Sequence, residues 1–433
     1  MSNRLVALVR NQKMGDLVYD EKKDRITLHY DAGWVDSAEA FPLSISMPIV
    51  REEHGDKVAR PFISGLLPDN NEVLDRWARK FQVSARNPFR LLYHVGEECA
   101  GGVQFVQPER AEQWIAGTAP QGIQWITREE LEERIGELIK NHAAARRDGD
   151  RGQFSLAGAQ PKMGLYRDAQ TGRWGVPEGE TPTTHILKPN EGRFADHDQN
   201  EHYCLTLARH LGMAAAESWI ERIGEIPVII VKRFDRMPLE GKMIRVHQED
   251  TCQALGTPPL QKYEREGGPT AGDIFGLIRD YSSNPREDEL RFLDALIYNW
   301  FIKGTDAHGK NFGFLLAAGS QVLLAPLYDV ASFIPYETPH QERKTRMAMK
   351  IGGEYQWWKI GPQHWERAAK EWKLDRDRVF TRITDMAARM PAAVAATRAE
   401  LESAGIGLTE GIARLEDGIL GISAATAKLF EQA

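Results

Sequence analysis

Ile302-Lys303-Gly304-Thr305-Asp306-Ala307-His308-Gly309-Lys310-Asn311-Phe312 is the stretch from which the rest of the chain can be read. Ahead of it, Glu287 to Lys303 carries Phe292, Leu293, Leu296, Ile297, Trp300 and Phe301 at the spacing of one helical face. Gly304 stands where a helix C-cap glycine belongs. The pattern predicts a buried helix that ends at Gly304 and releases a short polar loop. The apolar run Phe312 to Leu316 follows it.

Asp306 and Asn311 have the Asp-to-Asn spacing of the catalytic loop of protein kinases, D-x-x-x-x-N. Phosphoryl transfer gives that spacing a reason. A carboxylate accepts the proton of the attacking hydroxyl, and an amide oxygen one loop-turn later holds the metal that bridges the phosphates. A second metal carboxylate should follow on a nearby strand, and Leu327-Tyr328-Asp329-Val330, after Val322-Leu323-Leu324-Ala325, offers Asp329. Taken singly, Asp, His, Gly and Asn are ordinary loop formers, so the motif needs company.

Length and composition bound what that company can be. A chain of 433 residues is expected to form two or three domains. Its 62 acidic residues outnumber 55 basic ones, which excludes nucleic-acid binding by bulk charge. Ile226 to Val231, the longest aliphatic run, is far too short to span a bilayer. Cys99, Cys204 and Cys252 lack paired spacing, against a disulfide frame or zinc knuckle. Met1 to Val6 opens without an apolar signal region, so a cytoplasmic soluble protein is expected, with no membrane partner.

Along the chain, Arg4 to Val9, Gly15 to Tyr19 and Arg25 to Tyr30 read as strands, and Pro61 to Pro68 as a loop. Asn71 to Phe81 and Asn87 to His94 read as helices, Gly101 to Phe105 as a strand, and 107–125 as a linker carrying Pro108, Pro120 and Gly122. Thr127-Arg128-Glu129-Glu130 is a capping box for a helix through Lys140. Ala157, Gly158 and Ala159, ahead of Gln160-Pro161-Lys162, are small enough to let backbone N–H groups approach a phosphate, although taken alone a plain tight turn between strands is the favoured reading. Lys188 lies on a strand that Pro189 ends, the placement of a phosphate-pairing lysine, although taken alone a solvated lysine at a strand end is the favoured reading. Glu201, in a helix Asp198 to Leu211 capped by Asp198, is either that lysine's partner or a capping-box residue. Strands at Ser218 to Ile223 and Pro227 to Val231 lead to Lys232-Arg233-Phe234, where an exposed backbone could read an adenine edge. From 237 onward the pattern is helical, with Pro391, Gly405, Gly407 and Gly418 breaking the Ala-rich end. The expected architecture is α+β and two-lobed, with a strand-rich N-terminal lobe and an all-helical C-terminal lobe. Its segments are 1–110, a strand-rich subdomain; 111–234, with phosphate loop, lysine strand and hinge; and 235–433, with the catalytic loop.

The ordered set Phe154 to Gln160, Thr184 to Lys188, Asn200 to Cys204, Arg233 to Arg236, Gln248 to Gln253, Gly304 to Phe312 and Leu327 to Val330 closely resembles the HipA family. These are serine/threonine kinases that act as toxins of bacterial toxin–antitoxin pairs. The resemblance covers nearly the whole chain and implies a protein-kinase-like fold akin to phosphoinositide 3/4-kinases. It implies ATP and Mg2+ as cofactors, with Asp306 the catalytic base and Asn311 and Asp329 the magnesium ligands. Lys188 then pairs the phosphates, Ala157 to Lys162 (Ala159 included) covers them, Lys232, Arg233 and Phe234 form the hinge, and His308 and Tyr328 lie beside the nucleotide. Ser155 resembles the serine on which family members phosphorylate themselves and so fall silent. The resemblance also implies a translation-machinery target such as an aminoacyl-tRNA synthetase, and a HipB-like helix-turn-helix antitoxin that carries most of the contact with operator DNA. The chain departs from ordinary protein kinases. Asp329 is followed by Val330-Ala331, so D-F-G is absent, as is A-P-E, and His308 follows Asp306 as in lipid kinases. A lipid or small-molecule kinase and a silent corepressor scaffold therefore stay open as readings.

Overall fold

The computed structural model describes residues 2–432 apart from 146, 148, 149, 151–154, 156, 159, 191, 193 and 339, and the side chain of Glu342. The chain divides into two compact units. The first comprises Met1–Pro189, Arg222–Leu260 and Gly313–Leu323; the second comprises Asn190–Glu221, Gln261–Phe312 and Leu324–Ala433.

The first unit holds most of two large sheets. β1 (Arg4–Val9), β2 (Gln12–Asp20), β3 (Arg25–Tyr30), β4 (Glu53–His54) and β5 (Val103–Val106) stand in the order β4-β3-β2-β1-β5. The second sheet takes β6 (Gln121–Trp125), β7 (Met163–Arg167), β8 (Trp174–Gly179), β9 (His185–Pro189), β10 (Ser218–Ile223) and β11 (Ile226–Lys232) in the order β10-β11-β9-β7-β8-β6. A hairpin of β12 (Arg236–Leu239) and β13 (Lys242–Arg245) follows, then a three-stranded sheet of β14 (His247–Asp250), β15 (Gly313–Ala317) and β16 (Gln321–Leu324). The second unit is mainly helical, with the hairpin β17 (Arg346–Ile351) and β18 (Glu354–Gln356). Among the described residues no helix is long and apolar enough to cross a membrane.

Local signals account for the elements read from sequence. Thr127 and Glu130 form the reciprocal capping box, Glu130 N–H donating to Thr127 Oγ1 at 3.2 Å and Thr127 N–H to Glu130 Oε2 at 2.7 Å. Where the structure differs, long-range packing is the cause. Pro61 to Gly65 belongs to the helix Asp56–Gly65, because burial of Ala59, Phe62 and Ile63 outweighs the missing N–H of Pro61. The expected linker 107–125 contains the helix Pro108–Ile115, with Pro108 at its start, and β6, which pairs with β8 from Gln121↔Gly179 to Trp125↔Gly175. The purely helical expectation beyond 237 missed β12 to β18, which are only three to six residues long, too short for hydrophobic periodicity to resolve.

Pro391 does not break its helix. Arg376–Ser403 runs through it, and Glu410–Glu431 runs through Gly418, so that only Gly405 and Gly407 fall between helices. Proline has no N–H for the carbonyl of Ala387, four residues back. Ser423 Oγ, from Glu410–Glu431, donates to that carbonyl at 2.6 Å instead, at a buried site. Ser423→Ala should lower stability by about 1–3 kcal/mol, since it strands a buried acceptor. Urea denaturation with an unchanged midpoint would show that the repair carries no energy.

Candidate active site

The helix Pro285–Phe301 is buried through Phe292, Leu293, Leu296, Ile297 and Phe301, as its periodicity predicts. Its end is built differently from the expectation. Lys303, at φ 49°, is the left-handed residue, and Gly304 comes one place later, its N–H donating to Asn299 O at 2.7 Å. Gly304 is required for space, because a Cβ there would lie 2.1 Å from Asn299 Oδ1. Lys303 is held by an ion pair to Glu337 at 2.5 Å and by Trp357, whose ring its ammonium faces at 4.1 Å.

The loop released there is tied to a second segment of the same unit. Asn311 Nδ2 donates to Asp306 O at 2.8 Å and to Asp329 O at 3.4 Å, while Tyr328 Oη donates to Lys310 O at 2.7 Å. Leu327 bridges to the chain at Ala215, with Leu327 N–H on Ala214 O at 2.9 Å. Asn200 holds the other flank, its amide exchanging hydrogen bonds with Ser332 N–H (2.9 Å) and Ser332 O (2.8 Å). Asp329 itself adopts φ 56°, a conformation uncommon outside glycine and met at functional sites. Asp306, His308, Asn311, Tyr328 and Asp329 thus share one site in the second unit.

His308 is buried, and burial pushes its pKa down against the opposing pull of Asp306, leaving a neutral ring at pH 7. Its Nε2 lies 3.9 Å from Asp306 Oδ1, and its Nδ1 is a buried nitrogen with no hydrogen-bond partner among the described residues. The Asp306 side chain is 68% exposed. The hydroxyl of Tyr263, a residue that nothing in its sequence neighbourhood marks out, donates to Asp306 Oδ1.

The donor set suits a hard cation. Because Nδ2 of Asn311 is committed to two carbonyls, Oδ1 is the atom left to point elsewhere, and Asp329 adds a carboxylate. Among the described residues no group of three or more His, Cys, Asp or Glu could hold a metal alone. A magnesium-like ion would therefore complete its shell with oxygens from phosphate and water.

The other expected residues lie in the first unit, except Glu201. Lys188 is buried on β9, opposite Ile229 of β11. The pairing Met163↔Leu187 between β7 and β9 brings the end of the expected phosphate loop alongside it. Of that loop, Ala159 lies outside the described residues. Gly158 has φ 107°, its carbonyl accepts from Asp69 N–H at 3.2 Å, and Lys162 Nζ donates to Ala157 O at 2.8 Å. Gln160 is half-buried and Pro161 buried. Ser155 is fully buried, its N–H donating to Glu98 O at 2.7 Å and its Oγ to Leu66 O at 2.8 Å.

Glu201 is buried in the helix His197–His210 of the second unit. The cap of that helix is Asp196 rather than Asp198, and no side-chain capping bond forms there, so Glu201 has no capping-box role.

At the expected hinge, Arg233 is turned into the protein. Its N–H donates to Thr184 O at 3.0 Å, and its guanidinium pairs with Asp235 at 2.8 Å and Glu98 at 3.2 Å. Arg236 and Arg245 reach the same Glu98 carboxylate at 2.8 and 2.5 Å. Any adenine contact at Lys232, Arg233 and Phe234 thus excludes the Arg233 side chain. Burial would raise the Glu98 carboxyl, but the three guanidiniums hold it far below the usual carboxylate range. Asp235, buried beside Arg233 and Arg236, is brought to about 2.

Comparison with known proteins matches residues 5–106 to the HipA N-terminal domain and 154–394 to the HipA-like C-terminal domain. Y4mE of Sinorhizobium fredii is 36% identical over 384 residues, covering 88% of this chain and 89% of that protein. The serine/threonine-protein kinase toxin HipA of Shewanella oneidensis is 30% identical over 395 residues, covering 88% and 86%. The structure of Shewanella oneidensis HipA solved with HipB and its operator DNA superposes with a TM-score of 0.83 at 26% identity, over 99% of this chain and 98% of that one. The fold is therefore α+β and kinase-like, and the chain belongs to the HipA family of serine/threonine-protein kinase toxins.

Proposed function

We propose that this kinase transfers the γ-phosphoryl group of ATP, with Mg2+, to a serine or threonine hydroxyl on a component of the translation machinery such as an aminoacyl-tRNA synthetase. The observation that carries the reading is the joining of Asp306, Asn311 and Asp329 through one amide, Asn311 Nδ2. Asp306, exposed, orients the acceptor hydroxyl and takes its proton. Asn311 and Asp329 would hold Mg2+, which when bound offsets charge developing on the phosphates. Lys188 would pair those phosphates, residues 157–162 would cover them, the backbone of 232–234 would meet adenine, and His308 and Tyr328 would border the nucleotide. Glu201 would orient Lys188. In this reading 1–110 supports the phosphate loop, 111–234 binds nucleotide and 235–433 supplies the base.

The same reading includes phosphorylation of Ser155 by the kinase itself. Ser155 is fully buried against Leu66, so a phosphate of about −1.5 to −2 charges could not remain there, and the loop would have to leave its seat. Partnership with a HipB-like antitoxin, and through it with operator DNA, is supported by the composition of the Shewanella oneidensis complex. Intact-mass and phosphopeptide analysis after incubation with ATP and Mg2+ tests the proposal. We expect one phosphate on Ser155 and none in Ser155→Ala. A wild-type protein that binds ATP yet labels neither itself nor a protein acceptor would overturn it in favour of a lipid kinase or scaffold.

A further inference from the structure

Tyr263 belongs to a loop that is built rather than draped. Lys262 O accepts the N–H of Gly309 at 3.1 Å, directly behind the catalytic loop. Glu264 accepts the N–H of Lys350, on β17, at 2.7 Å and pairs with its ammonium at 3.5 Å. Gly268 N–H closes the turn on Tyr263 O at 3.0 Å, at a position where a Cβ would lie 2.0 Å from Gln261 O. The ring so fixed stands edge-on to His308 at 4.9 Å, and its hydroxyl donates to Asp306 Oδ1. Asp306 Oδ2 has no partner among the described residues, on a side chain that is 68% exposed.

We infer that Tyr263 is a positioning residue for the phosphotransfer: it holds Oδ1 of Asp306 so that Oδ2 is presented to the acceptor hydroxyl. The inference rests on Asp306 being the base. In the step it serves, the acceptor O–H bond breaks and its proton passes to Oδ2. The acceptor oxygen bonds to the γ-phosphorus as the bond from that phosphorus to the ADP oxygen breaks. A carboxylate free to rotate would spend part of its time with neither oxygen aligned, and misalignment costs rate without weakening nucleotide binding.

Tyr263→Phe tests this cleanly, because the phenyl ring keeps the packing against His308 and removes only the hydroxyl. Transfer from radiolabelled ATP would be followed on the protein itself and on dephosphorylated casein as a generic acceptor, for wild type, Tyr263→Phe, Asp306→Asn and the double mutant. We expect kcat to fall about tenfold in Tyr263→Phe with KM for ATP unchanged, and no further loss when it is added to Asp306→Asn. An unaltered kcat, a loss confined to KM, or a loss that adds in full to that of Asp306→Asn would overturn the inference. A silent wild type would instead sink the kinase reading on which it rests. Thermal melting of Tyr263→Phe near the wild-type midpoint would exclude unfolding as the cause; should it melt early, the double-mutant comparison at a temperature where both variants are folded decides.

Discussion

Asp306→Asn is expected to leave ATP affinity within a fewfold of wild type while cutting phosphotransfer about a thousandfold, the scale of losing a positioned general base. The structure says why the change should be confined to chemistry. Asp306 supports its neighbours through its main chain, whose carbonyl accepts from Asn311 Nδ2 and from His308 N–H at 2.8 Å each. Its carboxylate is exposed, and an amide oxygen can still accept from Tyr263. Calorimetric titration with ATP and single-turnover transfer measure the two halves separately. A mutant as fast as wild type would end the assignment of Asp306 as base.

Glu98→Gln is expected to cost on the order of 3–5 kcal/mol of stability, the penalty for leaving a buried ion cluster without one of its charges. Glu98 Oε1 accepts from Arg233, Arg236 and both Thr183 N–H and Oγ1, while Oε2 accepts from Arg245. Glutamine has the same volume, so no cavity forms. What remains is Arg233 and Arg236 sharing Asp235, and Arg245 with no carboxylate at Glu98, with the new amide N–H group turned toward them. The pH dependence carries a definite sign. Glu98 and Asp235 both titrate below their ordinary values of 4.5 and 3.8, so the stability they contribute is complete above about pH 4.5. It is lost as pH falls toward 2 and below, as each carboxyl takes up its proton in the folded state. Denaturant midpoints from pH 7 to pH 2 should therefore fall in the wild type and fall less steeply in Glu98→Gln. Equal slopes would mean that the cluster is not the source of acid sensitivity. Because Glu98 O also accepts from Ser155 N–H, loss of this cluster would reach the phosphate-loop region as well.

Much of the site was legible because its signals are local. A helix with an apolar face ending at a glycine, a D-x-x-x-x-N loop and an aspartate after an apolar run are patterns within a dozen residues, and their chemistry constrains spacing. The Thr127 capping box and the strands β1 to β3 were readable for the same reason, since the partners are neighbours in sequence. The misreadings share an opposite cause. Pro391 reads as a break until Ser423, on the next helix, supplies the donor it lacks. Residues 107–125 read as linker until β8 offers β6 a ladder.

Tyr263 and Asp306, 43 residues apart, and Glu98 and Arg233, 135 apart, form pairs that no local pattern announces. Arg233 illustrates the division most directly. By sequence it stands at a hinge where a backbone could meet a nucleotide, and its side chain was free to be assigned there. Only the fold shows that guanidinium buried against Glu98 and Asp235. The sequence by itself carried the resemblance to the family, in an ordered set of short motifs, and marked Asp306 and Asn311 as candidates, because such motifs act over short spans. The tertiary structure decided which carboxylates are held, by what, and which arginines are structural. Burial and charge pairing depend on what the folded chain brings together, and that is a property of distance in space.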